Sequence, residues 1–204
     1  MSQNNQVYPK SADNNDHEQL ILQVQLGDKK AFNQLMSMYH RRVFNIAFRI
    51  FGDYHIADEV AQDVFVNVYR SIKTFRFQSK FMSWLYRITV NLCRNELKRK
   101  QRQSAKNISL DASLENSKGG IIQNQLADDR LAADKSLLDN ELSNIIQCGL
   151  NTLDIDFREI IILRDIQQLS YEEISVILNI NIGTVRSRLH RARSMLAGRL
   201  EEVI

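Results

Sequence analysis

The sequence predicts an all-α protein: an N-terminal helical bundle and a C-terminal helix-turn-helix domain joined by a flexible linker. Three observations carry that prediction. The 204 residues include one proline, Pro9, and 7 glycines, so little interrupts helix over most of the chain. Apolar residues recur at three- and four-residue spacing in segment after segment, and no alternating Val/Thr/Tyr run has the length of a strand. That periodicity fades from Gln101 to Asp134, where Ser, Asn, Gln and Asp gather around Gly119-Gly120. The division is therefore a polar, Asn-rich disordered tail over 1–15, a first domain over 16–100, a linker over 101–134 and a second domain over 135–204.

In order, Leu20, Ile21 and Val24 mark a short helix from Asp16 that stops at Gly27-Asp28. Phe32, Leu35, Met36, Val43, Ile46, Ala47 and Ile50 mark a longer one ending at Gly52-Asp53. A third runs from about Ile56 to Ile72, with Ala57, Ala61, Val64, Phe65, Val68 and Ile72 as its buried stripe. A fourth starts near Phe81, turns Phe81, Trp84, Leu85, Ile88 and Leu92 inward, and ends in the basic run Lys98-Arg99-Lys100. After the linker, spacing returns with Leu137, Leu138, Leu142, Ile145 and Ile146, then Leu150, Leu153, Phe157, Ile160 and Ile161. The last two helices are bounded by their own signals. Ser170 and Glu173 form a capping box, Ile174, Ile177 and Leu178 face inward, and the helix stops near Asn179. Asn181 caps the next, whose inward residues are Val185, Leu189, Ala192 and Leu196.

Composition excludes several classes. Net charge is only +3, so the clustering of cations says more about partners than the total. Cys93 and Cys148 lie far apart, with no Cys-x-x-Cys pair and no histidine at ligand spacing; neither a metal site nor a disulfide framework is predicted, and no cofactor is implied. No run approaches the roughly 20 apolar residues of a membrane span, and the start lacks the apolar core of a signal peptide, so a cytoplasmic protein is expected.

The chemistry lies on three surfaces. Between Ile182 and Leu200 the last helix has no acidic residue, and Thr184, Arg186, Ser187, Arg188, His190 and Arg191 are its candidate readers of DNA. Arginine can contact guanine O6 and N7 bidentately in the major groove, which the second helix of such a pair enters. The competing view is an arginine-rich surface helix, to which the capped helix and turn before it are an added argument. In the fourth helix Arg87, Asn91, Arg94 and Lys98 form a basic outward stripe, preceded by a loop with Phe75, Arg76, Phe77, Ser79 and Lys80. Aromatics beside cations suit unstacked bases. Core packing is the nearer fate for Phe81 and Trp84, and both roles stay open for Phe75 and Phe77. On the third helix Asp58, Glu59, Gln62 and Asp63 share one face, either a docking surface or a solvated one.

The order IADEVAQDVFVNVY, SWLYRITVNLCRN, polar linker and LSYEEISVILNINIGTVRSRLHRAR resembles the extracytoplasmic-function group of the sigma-70 family of bacterial RNA polymerase sigma factors. The resemblance covers about 17–100 and 135–200. It implies a two-domain promoter-binding protein that docks on core RNA polymerase, at the β′ clamp and β flap. Asp58, Glu59, Gln62 and Asp63 would meet the clamp. Phe75, Arg76, Phe77, Ser79, Lys80, Trp84, Arg87, Asn91, Arg94 and Lys98 would open and hold the −10 element, with Asn91 lining a pocket for a flipped base. Thr184, Arg186, Ser187, Arg188, His190 and Arg191 would read the −35 element. The resemblance also implies control by an anti-sigma factor, often membrane-linked.

Two departures accompany it. Phe77-Gln78-Ser79 replaces the Gly-Asp-Ser turn of many relatives, and Trp84 is followed by Leu85 where housekeeping members carry two tryptophans, which implies weaker melting and a stricter demand for a good promoter. A stand-alone helix-turn-helix regulator is the alternative; a recombinase would need clustered carboxylates, histidines or an activated nucleophile that the sequence does not offer.

Overall fold

A computed structural model describes residues 14–110 and 133–201, with side chains over 16–103 and 142–201; most of the expected disordered tail and most of the expected linker lie outside those residues, and Asn14 and Asn15 of that tail open the first helix. Among the described residues there are helices and no strands: α1 (Asn14–Gln25), α2 (Lys29–Phe51), α3 (Tyr54–Ser71), α4 (Phe81–Leu110), α5 (Ala133–Asn151), α6 (Ile155–Ile161), α7 (Tyr171–Leu178) and α8 (Ile182–Glu201).

The first two turns repeat one device. Gly27 leaves α1 with φ +96°, and the Asp28 carboxylate accepts from the N–H groups of Lys30 and Ala31 at 2.7 and 3.2 Å to start α2. Gly52 leaves α2 with φ +69° and donates to the Phe48 carbonyl, and Asp53 accepts from Ile56 N–H at 3.0 Å to start α3. A 3₁₀ turn, Ile72–Thr74, then leads into the loop before α4. Gln25 ties this loop to α1 by donating to the carbonyls of Ile72 and Phe75, both at 2.8 Å.

Inside the first group of helices lie Leu35, Val43, Ile46 and Ile50 of α2, the predicted stripe of α3, and Leu85, Tyr86, Val90 and Cys93 of α4. Each buried aliphatic side chain contributes about 1.5–3 kcal/mol relative to exposure. α4 runs ten residues beyond Lys100, where the linker was expected to begin. Residues 101–110 lack glycine and proline and include Gln, Arg, Ala and Lys, so intrinsic propensity carries the helix past the end of its apolar pattern.

The second group closes around Ile160, Ile161, Ile162 and Leu163, with Ile174, Ile177 and Leu178 of α7 and Val185, Leu189 and Ala192 of α8 packed on them. After α6 the chain widens into one π turn, Ile162–Ile166, in which Gln167 N–H donates to the Ile162 carbonyl at 2.9 Å. Gly149 lets α5 approach α8, since a Cβ there would stand 2.8 Å from the Leu196 side chain. Leu142, part of the predicted apolar spacing of α5, is exposed; Ile146 packs against the core. The two groups also pack on each other, α7 against α4 and α5 against α2.

Candidate nucleic-acid interface

The helix pair α7–α8 forms as its caps dictate. The Ser170 hydroxyl accepts from Glu173 N–H at 3.2 Å, and the Glu173 carboxylate accepts from Ser170 N–H at 3.0 Å. α7 ends at Asn179 with φ +53°, a left-handed conformation that asparagine tolerates. At the start of α8 the Asn181 side chain accepts from the Thr184 hydroxyl at 3.2 Å, so its bond is to a side chain where a backbone N–H was expected. With Val185, Leu189 and Ala192 turned inward, Arg186, Ser187, His190 and Arg191 are exposed together. Thr184 and Arg188 are half-buried, and Arg188 lies 3.1 Å from Asp156 of α6. Arg193 is bound to Asp165, which holds its guanidinium above its ordinary pKa through hydrogen bonding.

The loop before α4 separates the two open readings of its aromatics. Phe75 is buried, with its ring 4.9 Å from Phe77, 5.2 Å from Trp84 and 5.7 Å from Phe81. Phe77 is 38% exposed and sits at φ +57°, a conformation costly for an aromatic residue and common at functional loops. Arg76, Ser79 and Lys80 are exposed, Phe81 is buried and Trp84 half-buried. On α4, Arg87, Asn91 and Lys98 face solvent as predicted. Arg94 does not. Its guanidinium makes hydrogen bonds of 2.6, 2.8 and 3.0 Å to the fully buried carboxylate of Glu159 on α6 and lies 3.5 Å from Asp156.

On α3, Glu59, Gln62 and Asp63 are exposed; Asp58 is half-buried and accepts from the Gln62 amide at 2.8 Å. Across from them on α4, Arg99 is paired with Glu96 at 2.6 Å.

Comparisons with known proteins identify the family. The profile of Sigma-70 region 2 matches residues 35–103, and that of Sigma-70, region 4 matches residues 143–196. The ECF RNA polymerase sigma factor SigW of Bacillus subtilis is 34% identical over 90% of this chain and 96% of its own length. This chain belongs to the extracytoplasmic-function sigma factors. The ECF RNA polymerase sigma-E factor of Haemophilus influenzae is 36% identical over 91% of the chain and 95% of its own length. Among solved structures, CnrH in complex with the cytosolic domain of CnrY shares the fold with a TM-score of 0.61 and 25% identity, over 90% of this chain and 96% of that one.

In this sigma factor polar contacts cross between regions 2 and 4, beside an apolar core continuous through both. Besides Arg94 and Glu159, Lys80 pairs with Glu173 at 2.8 Å and the Tyr86 hydroxyl donates to Gln167 at 3.1 Å. Arg49 of α2 donates to Ser143 and Gln147 of α5 at 3.1–3.3 Å, and Arg158 of region 4 donates to the Ile50 carbonyl near the end of α2. Burial lowers the pKa of Arg49 and Arg158. Burial pushes the Glu159 carboxyl above its usual range, and the Arg94 hydrogen bonds pull it part of the way back. For Glu173, burial pushes upward, but Lys80 and the Ser170 N–H outweigh it and leave the carboxyl lower than usual.

Asp156 and Glu159 were not singled out from the sequence. The available signal is Glu159 itself, a carboxylate inside the run Phe157-Arg-Glu-Ile-Ile-Ile, where a buried charge requires a partner.

Proposed function

We propose that this sigma factor docks on core RNA polymerase, with Asp58, Glu59, Gln62 and Asp63 on the β′ clamp and region 4 on the β flap. Arg186, Ser187, His190 and Arg191, together with Thr184 and Arg188, read the −35 element from the major groove. Phe77, Arg76, Ser79, Lys80, Arg87, Asn91, Arg94 and Lys98 hold the separated −10 strand, with Phe75, Phe81 and Trp84 as the aromatic support of that loop. The observation that supports this reading best is the exposed quartet on α8 behind a capped α7, in a chain that presents an exposed aromatic and cations before α4.

The action is binding rather than catalysis. Unstacking a base costs a few kcal/mol and stacking on an aromatic returns about 1–3 kcal/mol per base, so capture of a few bases tips melting toward the open form. The protein works in the cytoplasm; among the described residues no helix is long and apolar enough to cross a membrane. An anti-sigma factor, membrane-linked in some systems, controls it by covering the polymerase-binding faces; the similar CnrH was solved with the cytosolic domain of CnrY.

Run-off transcription with purified core polymerase on a random-promoter library tests the proposal. It predicts transcripts that depend on the added chain and start downstream of a shared pair of elements, with Arg186→Ala altering preference at one −35 position. Absence of chain-dependent transcripts, under conditions where a known sigma factor gives them, overturns it.

A further inference from the structure

The π turn after α6, Ile162–Ile166, sets two charged side chains against the helix pair that follows it. Arg164 closes the loop into α7: its guanidinium donates to the Leu169 carbonyl at 2.6 Å and lies over the Tyr171 ring, 5.0 Å from its centre. The next residue, Asp165, reaches α8. Both of its carboxylate oxygens accept from Arg193, one from Nε at 3.1 Å and the other from Nη2, the two-pronged arrangement that fixes an arginine most firmly. Arg186, His190 and Arg193 follow each other at i, i+4 and i+7, so Arg193 shares the stripe of two proposed readers. At about 1.5 Å of rise per residue it stands about 10 Å past Arg186. A recognition helix presents its N-terminal residues to the bases. An arginine that far along meets the phosphates at the edge of the groove.

We propose that Asp165 holds Arg193 away from the DNA backbone and so limits the sequence-independent affinity of α8 for duplex DNA, which makes it a specificity-determining residue that touches no base. The inference rests on the reading of α8 as the duplex-reading helix. Each phosphate neutralised by a cation adds affinity to every sequence alike, through release of condensed counterions. Discrimination is the ratio of specific to non-specific affinity, and competing genomic sites make that ratio decide occupancy. A cation already paired gains little from a phosphate, because it exchanges one anionic partner for another. Exposed ion pairs add little to folding stability, and the Arg193 side chain is 51% exposed, so stability alone does not account for tying up an arginine on this stripe.

Binding of the full chain to a fluorescent mixed-sequence duplex, measured against salt concentration, tests the mask. Asp165→Ala is expected to steepen the dependence of log affinity on log salt by about 0.9, one added phosphate contact, so that fourfold dilution of salt tightens binding about 3.5-fold more than in wild type. Asp165→Asn, equal in shape and uncharged, should move the same way without opening a gap that disturbs folding. Arg193→Ala, the double variant Asp165→Ala/Arg193→Ala and the charge control Glu18→Gln on α1 should keep the wild-type slope. A wild-type slope in folded Asp165→Ala and Asp165→Asn overturns the mask, as does a shallower slope in Arg193→Ala, which would mean that the arginine already contacts phosphate. So does a double variant as steep as Asp165→Ala, where the acid would act by repulsion alone. Arg186→Ala/Arg191→Ala tests the underlying reading separately and should flatten the slope. If it does not, while Asp165→Ala steepens it, the mask stands and the assignment of the α8 quartet falls.

Discussion

Regions 2 and 4 each carry a surface suited to nucleic acid, and the two differ in what covers them. On α8, Arg186, Ser187, His190 and Arg191 stand exposed, and among the assigned arginines only Arg188 turns aside to an acid. On α4 and its loop, Arg94 and Lys80 are bound to Glu159 and Glu173, and α7 packs against the helix. The proposed duplex-reading quartet is thus uncovered, whereas two of the cations proposed for strand capture are tied to region 4. The physical reason is burial. Glu159 is fully buried, where an ionised carboxylate needs a partner, while Arg186 and Arg191 of α8 are exposed.

Removing the cation breaks the contrast most strongly. Arg94→Ala leaves Glu159 uncompensated, which costs the closed packing about 3–5 kcal/mol. The domains should separate, with amide exchange in α6 and α7 rising well above wild type. Next comes Arg186→Ala, expected to cost about 1–3 kcal/mol at one −35 base pair while sparing other promoter variants; binding to a panel of single-base substitutions reads this, and a uniform loss would make the residue a phosphate contact. Ser170→Ala removes the cap of α7, the helix laid over α4, and should cost about 1 kcal/mol in urea unfolding. Smallest is Lys80→Ala. Its partner is part-buried, but the lysine itself is 78% exposed, so the loss from closure should stay within about 0–1 kcal/mol by the same exchange measurement.

Much of the fold was legible in the sequence because its signals are local. Gly27-Asp28, Gly52-Asp53 and Ser170 with Glu173 bond to neighbours a few residues away, and the stripe from Ala57 to Ile72 needs only helical spacing to be recognised. The exposed quartet of α8 follows once Val185, Leu189 and Ala192 turn inward. Arg94 could not be placed this way, since its partner lies 65 residues along the chain and no periodicity links α4 to α6. The α4 stripe was read as wholly solvated for that reason. Phe75 and Phe77 look equivalent in sequence and separate only when φ at Phe77 becomes positive and turns its ring out. Leu142 is the opposite case, an apolar residue in register that finds no neighbour to bury it.

Arginine-selective labelling with phenylglyoxal, quantified by peptide mass spectrometry, tests the covered-versus-exposed contrast most directly. In the free chain Arg186 and Arg191 should react readily and Arg94 should be protected, and Arg94 should become reactive when core polymerase is bound without DNA. Equal labelling of Arg94 and Arg186 in the free chain would contradict the account.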